Sequence, residues 1–198
     1  NKDGIDFSLE DDYYGDTRFH IPFIAWYQVM NASLALTTME VLKDRIPVTM
    51  EQLQAGIANT RWQGRMETIL PGVIVDGAHN EDGVRRFVET AERFQKEYPL
   101  TLLFSAVNDK DYQDMIHTIC SRIKFRKVVT TEVGGYREVP SAELAEIFCK
   151  EGCKDIGNSD NIEEAFHMAH EAKGEDGMLF CVGSLYLVGE IKTLLLKK

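Results

Sequence analysis

The sequence predicts an α/β fold, with a Rossmann-like, mostly parallel, doubly wound sheet over residues 62–198. Short apolar segments, such as residues 73–75 and 178–182, alternate there with segments such as residues 162–169, whose apolar side chains recur at helical spacing. The strand segments 73–75 and 178–182 are apolar throughout and show no alternation with polar residues. Continuous apolar strands between amphipathic helices are typical of a parallel sheet that helices cover on both faces.

The predicted elements follow one another with short connections. After the strand at 73–75, Asn80 is a suitable N-cap for a helix that has Glu81 and Asp82 in its first turn and runs toward Tyr98. The later elements are a strand at 101–107, a helix at 112–123, a strand at 128–129, a helix through Leu144 and Phe148 after Pro140, a helix at 162–169, a strand at 178–182 and a helix at 185–196.

Residues 1–61 differ from this pattern and are too few and too rich in loops for a complete domain. A helix is predicted within residues 23–42. Thr49 and Gln52 form a capping box for a shorter helix, which Gly56 is placed to end. A polar stretch typical of a hinge follows that helix. Two domains are therefore predicted, with the boundary directly after residue 61.

Composition and charge exclude several classes of partner. The chain has 22 basic and 32 acidic residues, and its formal net charge is −10. Nucleic-acid backbones and anionic membranes both select clustered Lys and Arg, so we expect neither a nucleic acid nor a membrane as a partner. Four cysteines in 198 residues do not make a disulfide framework, which predicts reduced thiols and a cytoplasmic location.

Two pairs of potential metal ligands stand at helical spacing. Cys149 and Cys153 are four residues apart on a predicted helix, and His167 and His170 are three apart on another. A metal site is conceivable for each pair. Half-buried small side chains for the cysteines and a solvated polar face for the histidines are the favoured interpretations. We therefore predict no metal ligands in this chain.

Polar and charged residues follow three of the predicted strands. They are Asp76, Lys110 within Asn108-Asp109-Lys110-Asp111, and Ser184 after Gly183. Ligands of open α/β sheets bind at the carboxyl ends of the strands, and parallel strands bring those ends to one edge. An aspartate suits ribose hydroxyls, a lysine suits an anion, and N–H groups at a helix start suit a carboxylate. The pattern predicts a nucleotide and carboxylate site, while a turn role for Asp76 and a solvated loop charge at Lys110 stay open.

Several common site motifs do not occur in the 198 residues. There is no P-loop G-x-x-x-x-G-K-[ST], no dinucleotide fingerprint G-x-G-x-x-G and no nucleophile elbow G-x-S-x-G. The predicted domain is therefore Rossmann-like in its order of elements but has no phosphate loop of its own.

Five segments carry a family resemblance along nearly the whole chain. They are Tyr-Gln-Val-Met-Asn-Ala at 27–32, Trp-Gln-Gly-Arg-Met-Glu at 62–67, Val-Asp-Gly-Ala-His-Asn at 75–80, Asn-Asp-Lys-Asp at 108–111 and Gly-Ser-Leu-Tyr-Leu-Val-Gly at 183–189. In this order they resemble the C-terminal portion of folylpolyglutamate synthase, which is often bifunctional with dihydrofolate synthase and belongs to the Mur ligase superfamily. Two departures are Glu81, where the family usually has proline, and residues 25–28, where it has Gly-His-Gln.

The resemblance implies an ATP-dependent ligase that adds L-glutamate to the γ-carboxylate of a folate. ATP activates the carboxylate as an acyl phosphate, and the amine of glutamate attacks it. For the nucleotide, the resemblance implies that Asn31 contacts the adenine, Arg65 the phosphates and Asp76 the ribose. Mg²⁺ is implied as well, with its ligands and the P-loop in a part of the enzyme upstream of residue 1.

For the substrate, the resemblance implies that Lys110 and Ser184 hold the incoming amino acid and that His79 contacts substrate or phosphate. His79 and Lys110 are therefore the candidate catalytic residues. The implied partners are a folate (dihydropteroate or tetrahydrofolate), L-glutamate and the enzyme's own upstream ATPase domain, in a monomer. Residues 1–61 correspond to the end of the central ATP-binding domain and residues 62–198 to the C-terminal glutamate-ligase domain.

Two alternatives stay open at this point. One is the C-terminal domain of another Mur-type amino-acid ligase, such as a cell-wall ligase, and the other is a non-catalytic module that binds a nucleotide or a carboxylate. Because the chain starts at Asn1 and has no P-loop, we expect an excised piece that is inactive by itself.

Overall fold

The computed structural model describes residues 4–135 and 137–196, and the chain divides into two compact units. The first unit is Asn1–Gln63 and the second is Gly64–Lys198. The division thus falls after residue 63, where the sequence predicts a boundary after residue 61.

The first unit combines a two-stranded antiparallel sheet with two helices. Its elements are β1 (Ile5–Phe7), β2 (Phe19–Ile21), α1 (Tyr27–Val41) and α2 (Met50–Ala58). A small core forms around Tyr14, Phe19, Leu36 and Leu53, all of which are buried. Tyr14 also donates its hydroxyl hydrogen to the carbonyl oxygen of Leu36 at 2.7 Å, which ties the loop before β2 to α1.

The capping box predicted for α2 is confirmed. The hydroxyl oxygen of Thr49 accepts from the backbone N–H of Gln52, whose side-chain oxygen accepts from the N–H of Thr49. The prediction that Gly56 ends this helix is wrong, because α2 continues beyond it. The side chains of Asn59 and Thr60 donate to carbonyl groups of the last turn, so the helix ends without a glycine cap.

The second unit contains a six-stranded sheet. Its strands are β3 (Glu67–Leu70), β4 (Val73–Asp76), β5 (Leu100–Phe104), β6 (Phe125–Thr131), β7 (Ile156–Ser159) and β8 (Met178–Val182). Its helices are α3 (Glu81–Gln95), α4 (Tyr112–Arg122), α5 (Ser141–Lys150), α6 (Ile162–Lys173) and α7 (Leu185–Leu196). The spatial order is β3-β4-β8-β5-β6-β7, and only the β3–β4 pair is antiparallel. The predicted Rossmann-like, mostly parallel sheet is confirmed.

Helices cover both faces of this sheet. Successive strand residues point to opposite faces, and in β8 Cys181 packs in a buried cluster with α6 and α7. Its neighbour Phe180 packs edge-on against Phe87 of α3, with 5.5 Å between ring centroids, and Phe104 packs in the same way against Phe148 of α5 at 5.3 Å. Within the described residues, none of the helices has the length and apolar character to cross a membrane.

The sequence analysis does not predict β3 or β7. The strand β3 pairs with β4 through a two-residue turn, Pro71-Gly72, in which Gly72 has a φ of 72°. Such a Pro-Gly pair between two short segments is a turn signal that could have revealed this hairpin. In contrast, β7 is a four-residue edge strand with polar and glycine residues, and its sequence alone gives no comparable signal.

The strand predicted at 101–107 is shorter than expected. The strand β5 ends at Phe104, and Val107 pairs instead with Glu138 in an isolated antiparallel bridge. The backbone N–H of Asn108 also donates to the carbonyl oxygen of Arg137 at 2.7 Å. These contacts hold the loop after β5 against the loop after β6.

Candidate functional site

The carboxyl ends of β4, β8 and β5 lie side by side at one edge of the sheet. Asp76 at the end of β4 is aligned with Val182 of β8, and Val182 is aligned with Phe104 of β5. The loops that follow these strands carry the candidate residues Lys110 and Ser184. The prediction that Asp76, Lys110 and Ser184 lie along one edge is confirmed.

Two glycines allow these loops to pack closely. Gly183 has a φ of 110°, which favours glycine, and a Cβ atom there would overlap the carbonyl oxygen of Ser105. Gly77, directly after β4, has no room for a Cβ atom because the side chain of Leu185 at the start of α7 occupies that space. The two glycines therefore keep the loops after β4, β5 and β8 in contact.

Asp76 is buried beneath this edge. The residue is 3% exposed, and its Oδ2 and Oδ1 accept from the backbone N–H groups of Met66 and Ala78, each at 2.8 Å. Burial raises the pKa of the Asp76 carboxyl to about 6, while the two N–H groups and the charge of Arg65 act in the opposite direction. The carboxylate is thus held against the backbone and is almost inaccessible to a ligand, and the implied contact with a ribose stays a prediction without support from this geometry.

Asp76 instead fixes the segment at which the second unit begins. Among the described residues, Met66 is the only non-glycine residue with a positive φ, at 46°. That conformation costs about 1–2 kcal/mol for an L-residue, and the hydrogen bond from its N–H to Asp76 offsets part of this cost. The N–H of Gly77 also donates to the carbonyl oxygen of Gly64 at 2.8 Å. Arg65, between these anchored residues, is therefore carried by a fixed backbone.

A cleft of about 200 Å³ opens at the same edge, between the loops after β4 and β5. Two candidate residues, His79 and Lys110, line it. The other lining residues are mostly acidic: Asn80, Glu81, Asp109, Asp111, Asp114 and Met115. Pockets for drug-sized ligands measure roughly 300–1,000 Å³, so this cleft fits a smaller molecule.

Hydrogen bonding fixes the tautomer of His79. Its Nδ1 lies 2.7 Å from the carbonyl oxygen of Gly77, which only accepts, so Nδ1 carries the hydrogen. Nε2 is then the ring nitrogen that accepts a proton, or donates to an anion once the ring is charged. This arrangement suits contact with a substrate or a phosphate, which stays a prediction for His79.

Lys110 is half-buried and is not engaged by the aspartates on either side of it in the sequence. Asp109 forms an ion pair with Arg137 at 3.0 Å, and Asp111 caps α4 by accepting from the N–H of Asp114. Among the described residues, Lys110 forms no ion pair within 4 Å. Its ammonium group is therefore available to an anion that enters the cleft.

Arg137 connects the loops after β5 and β6 to the helix α7, and the sequence analysis does not identify it as a site residue. Nη1 of Arg137 donates to Oδ2 of Asp109, and Nη2 donates to the hydroxyl of Tyr186, both at 3.0 Å. Asp109 follows β5, Arg137 follows β6 and Tyr186 belongs to α7. Asp109 is 28 residues before Arg137, and only the pairing of β5 with β6 brings them together, so no local sequence signal could have found this contact.

Ser184 lies at the edge of the sheet but does not line the cleft. It is 2% exposed, and its Oγ accepts from the backbone N–H of Tyr186 at 3.1 Å. The hydroxyl therefore caps the first turn of α7. The implied contact of Ser184 with an amino acid stays a prediction without support from this geometry.

The other two nucleotide candidates lie in different units. Asn31 is exposed on α1 of the first unit, and its Nδ2 donates to Oε1 of the buried Gln28 at 2.8 Å. Arg65 is half-buried in the second unit, and a guanidinium group there fits a phosphate. Across residues 4–135 and 137–196, no group of three or more His, Cys, Asp or Glu side chains is arranged to hold a metal ion. The implied contacts with adenine and phosphates stay predictions.

The structure contradicts the expectation for the cysteine pair and agrees with the interpretation of the histidine pair. The expectation that Cys149 and Cys153 share a helix is wrong, because α5 ends before Cys153, whose Sγ lies 3.6 Å from that of Cys120. His167 and His170 are exposed on α6, as the interpretation as a solvated polar face predicts.

Comparison with known proteins identifies relatives of this chain. Residues 64–185 match the family model described as Mur ligase, glutamate ligase domain. The chain is 30% identical over 194 residues to the dihydrofolate synthase/folylpolyglutamate synthase of Bacillus subtilis. The aligned region covers 94% of this chain and 43% of that protein. It is 27% identical over 175 residues to a probable bifunctional folylpolyglutamate synthase/dihydropteroate synthase of Haloferax volcanii, with coverages of 87% and 20%. The chain therefore spans less than half the length of these relatives.

Solved structures share the fold. The folylpolyglutamate synthase of Mycobacterium tuberculosis, complexed with ADP and AMPPCP, has a TM-score of 0.75 and 25% identity, over 89% of this chain and 42% of that chain. E. coli FolC, in complex with DHPP and ADP, has a TM-score of 0.79 over 97% of this chain and 45% of that chain. At 17% identity, the second likeness concerns the fold alone. Residues 64–185 match this family model, and they contain the six-stranded sheet. The chain therefore belongs to the Mur ligase family of glutamate ligase domains.

Proposed function

We propose that this chain is the C-terminal part of an ATP-dependent ligase of the folylpolyglutamate and dihydrofolate synthase type, which adds L-glutamate to the γ-carboxylate of a folate. In this proposal the second unit is the glutamate-ligase domain, and the first unit is the end of the central ATP-binding domain. The relatives support this assignment, because their names describe folylpolyglutamate or dihydrofolate synthases from a bacterium, an archaeon and yeasts.

The observation that carries the proposal is the mixed charge of the cleft between the loops after β4 and β5. Lys110 supplies a cation, whereas Glu81, Asp111 and Asp114 supply carboxylates on the same walls. A free amino acid carries an ammonium group and a carboxylate a few bonds apart, so a small cleft with both signs of charge is complementary to it. We assign the α-carboxylate of L-glutamate to Lys110, and its amino group to the acidic side of the cleft.

The nucleotide belongs to the same proposal. ATP supplies the phosphoryl group that activates the folate carboxylate, because a carboxylate is a poor electrophile without such activation. We assign Arg65 to the phosphates and Asn31 to the adenine. A ribose contact from Asp76 would require its buried carboxylate to become accessible, so Asp76 contributes least to this assignment. We place the Mg²⁺ ligands and the P-loop in the upstream part of the enzyme.

Other functions are distinguishable. A cell-wall amino-acid ligase would share the fold, but the sequence relatives described above are folate enzymes. A non-catalytic binding module would bind ligands without any turnover in a longer protein.

We also expect that the 198-residue chain alone releases no phosphate from ATP, that the enzyme is monomeric and that it acts in the cytoplasm.

A titration of the 198-residue chain with L-glutamate, followed by amide NMR shifts, tests the assignment of Lys110. We expect saturable shifts at residues 77–80 and 108–111. Lys110→Ala should raise the dissociation constant at least about tenfold, because it removes a charge-assisted contact worth roughly 1.5–3 kcal/mol.

The matched control for this titration is Lys124→Ala. Lys124 is an exposed lysine that precedes β6, at the amino end of the strand and away from the cleft. It should leave the dissociation constant unchanged. An absence of saturable shifts, or equal affinities for the Lys110→Ala variant and the parent, would show that this cleft is not the glutamate site.

A further inference from the structure

Two half-buried cysteines from different elements are in contact in the helical layer of the second unit. The Sγ atom of Cys120, near the end of α4, lies 3.6 Å from the Sγ atom of Cys153, in the turn after α5. The two residues are 33 positions apart, so only the fold brings them together. Neither cysteine lines the cleft described above.

The backbone on both sides of this contact is fixed. Cys120 belongs to a helix, whereas Cys153 follows Gly152, whose φ of 94° closes α5. The N–H groups of Gly152 and Cys153 donate to carbonyl groups of the last turn of α5 at 3.0 and 3.1 Å, in the pattern of a Schellman motif. His117 and Glu151 form a second link between α4 and this turn, with 2.9 Å between Nδ1 and Oε2. The contact of the sulfur atoms therefore does not depend on a loose loop.

The two thiols differ in acidity. Their shared hydrogen bond lowers the pKa of Cys153 and raises the pKa of Cys120, which burial raises further. Burial and the charge of Glu151 oppose the thiolate at Cys153, but these effects are smaller than that of the hydrogen bond. The thiolate is the reactive form of cysteine, so these directions favour Cys153 as the nucleophile of the pair.

We propose that Cys120 and Cys153 form a reversible redox site whose oxidant is a low-molecular-weight disulfide, RSSR. The Cys153 thiolate attacks one sulfur of RSSR, the S–S bond breaks, and the leaving RS⁻ takes up a proton. Cys120 then loses its proton to solvent and attacks Sγ of Cys153 in the mixed disulfide, which releases the second RSH. The protein dithiol thus loses two electrons and two protons, and RSSR becomes two RSH.

Little movement is needed to form the protein disulfide. The sulfur atoms have to approach from 3.6 Å to the roughly 2.05 Å of an S–S bond, a shift of about 1.5 Å. The bond would join α4 to the turn after α5. Because α4 begins next to Lys110, the site would also fix a helix that starts at the cleft. The proposal itself does not depend on the ligase function.

Incubation of the 198-residue chain in graded mixtures of oxidised and reduced glutathione tests the site. After the free thiols are alkylated, we expect peptide mapping to show a Cys120–Cys153 cross-link, with Cys181 alkylated only after unfolding. Reduction should restore both thiols. Closing a loop of this length should raise the thermal midpoint of the oxidised form by about 5 °C or more.

Single variants separate the two steps. Cys120→Ser should leave a stable glutathione adduct on Cys153, and Cys153→Ser should slow adduct formation at Cys120 by at least about tenfold. Cys149→Ser, at an exposed thiol on α5, is the matched control and should leave the cross-link unchanged. A cross-link between Cys149 and Cys153, a cross-link that forms only in denaturant, or a chain that keeps both Cys120 and Cys153 reduced throughout would overturn the proposal.

Discussion

The carboxylate of Asp76 is buried against two backbone N–H groups, and burial and hydrogen bonding act on its charge in opposite directions. Burial prevails, so the pKa is raised to about 6. The folded chain therefore holds a proton on Asp76 more tightly than the unfolded chain does. The stability that this proton contributes is fully present below the unfolded pKa of about 3.9. It is lost as the pH rises through about 6.

The first prediction follows from this loss of stability with rising pH. Asp76→Asn removes the titration, and its amide nitrogen faces an N–H group that needs an acceptor, so the variant should be less stable than the parent. The difference in the free energy of unfolding should be larger at pH 4 than at pH 7, by about 2–3 kcal/mol. Urea unfolding at both pH values measures it. A difference that is larger at pH 7 would mean that hydrogen bonding outweighs burial.

The second prediction concerns Arg137 and rests on the proposed glutamate site. Arg137 holds Asp109, so its removal would free that carboxylate to pair with Lys110 in the cleft. Arg137→Ala should therefore weaken L-glutamate binding about three- to tenfold, while stability changes by less than about 1 kcal/mol, since the ion pair is partly exposed.

A double variant provides the control for Arg137. Asp109→Asn combined with Arg137→Ala removes the competing carboxylate and should restore affinity close to that of the parent. Amide shift titrations of the single and double variants give both constants. If the double variant binds as weakly as Arg137→Ala, then Arg137 acts in some way other than by holding Asp109.

The residues of the site differ in how far the sequence could predict them. His79 and Lys110 follow buried strands, so the rule that ligands bind at the carboxyl ends of strands places them correctly. The same rule places Asp76 and Ser184 at that edge. It does not distinguish a buried residue that hydrogen-bonds to the backbone from an exposed residue that binds a ligand. That difference depends on which backbone N–H groups the fold brings near each side chain. Arg137 depends on contacts across strands and could not be predicted from local sequence.

Among the elements, predictability follows the strength of the local pattern. The strand β8 and the helix α7 have the predicted bounds, since apolar runs and helical spacing are unambiguous there. The edge strands β3 and β7 are short and only partly buried, so hydrogen bonding to a neighbouring strand defines them more than their own composition does. The end of α5 depends on the positive φ of Gly152, which a helical pattern does not show.

The third prediction compares two glycines near the start of α7. Gly183→Ala should lower the free energy of unfolding by about 2–4 kcal/mol, because its φ of 110° strains an alanine and the new Cβ atom meets the backbone oxygen of Ser105. Gly189 lies within α7 and has open space at its Cβ position, so Gly189→Ala should raise stability by about 0.5–1 kcal/mol. Urea unfolding of both variants measures these changes, and a harmless Gly183→Ala would contradict the close packing of these loops.

At the scale of the whole chain, the order of strands and helices in the second unit is what the sequence predicts best.

The two units differ in how much core each one contains. In the first, β1 and β2 have three residues each, and they share two small buried clusters with α1 and α2. In the second, every residue of β4 and β5 is buried between two layers of helices. A two-stranded sheet is marginally stable without further packing, so the first unit has less to hold it together.

The last prediction is that the two units do not unfold together. Native-state hydrogen exchange should give opening free energies for the amides of β1 and β2 that are at least about 2 kcal/mol below those of β5 and β8. Both tryptophans, Trp26 and Trp62, belong to the first unit, so tryptophan fluorescence should show a lower urea midpoint than far-UV circular dichroism, to which the larger second unit contributes most. Coincident midpoints together with equal protection in both sheets would mean that the chain unfolds as one cooperative body. Separate transitions are expected because the second unit buries a larger apolar core within itself than the first unit does.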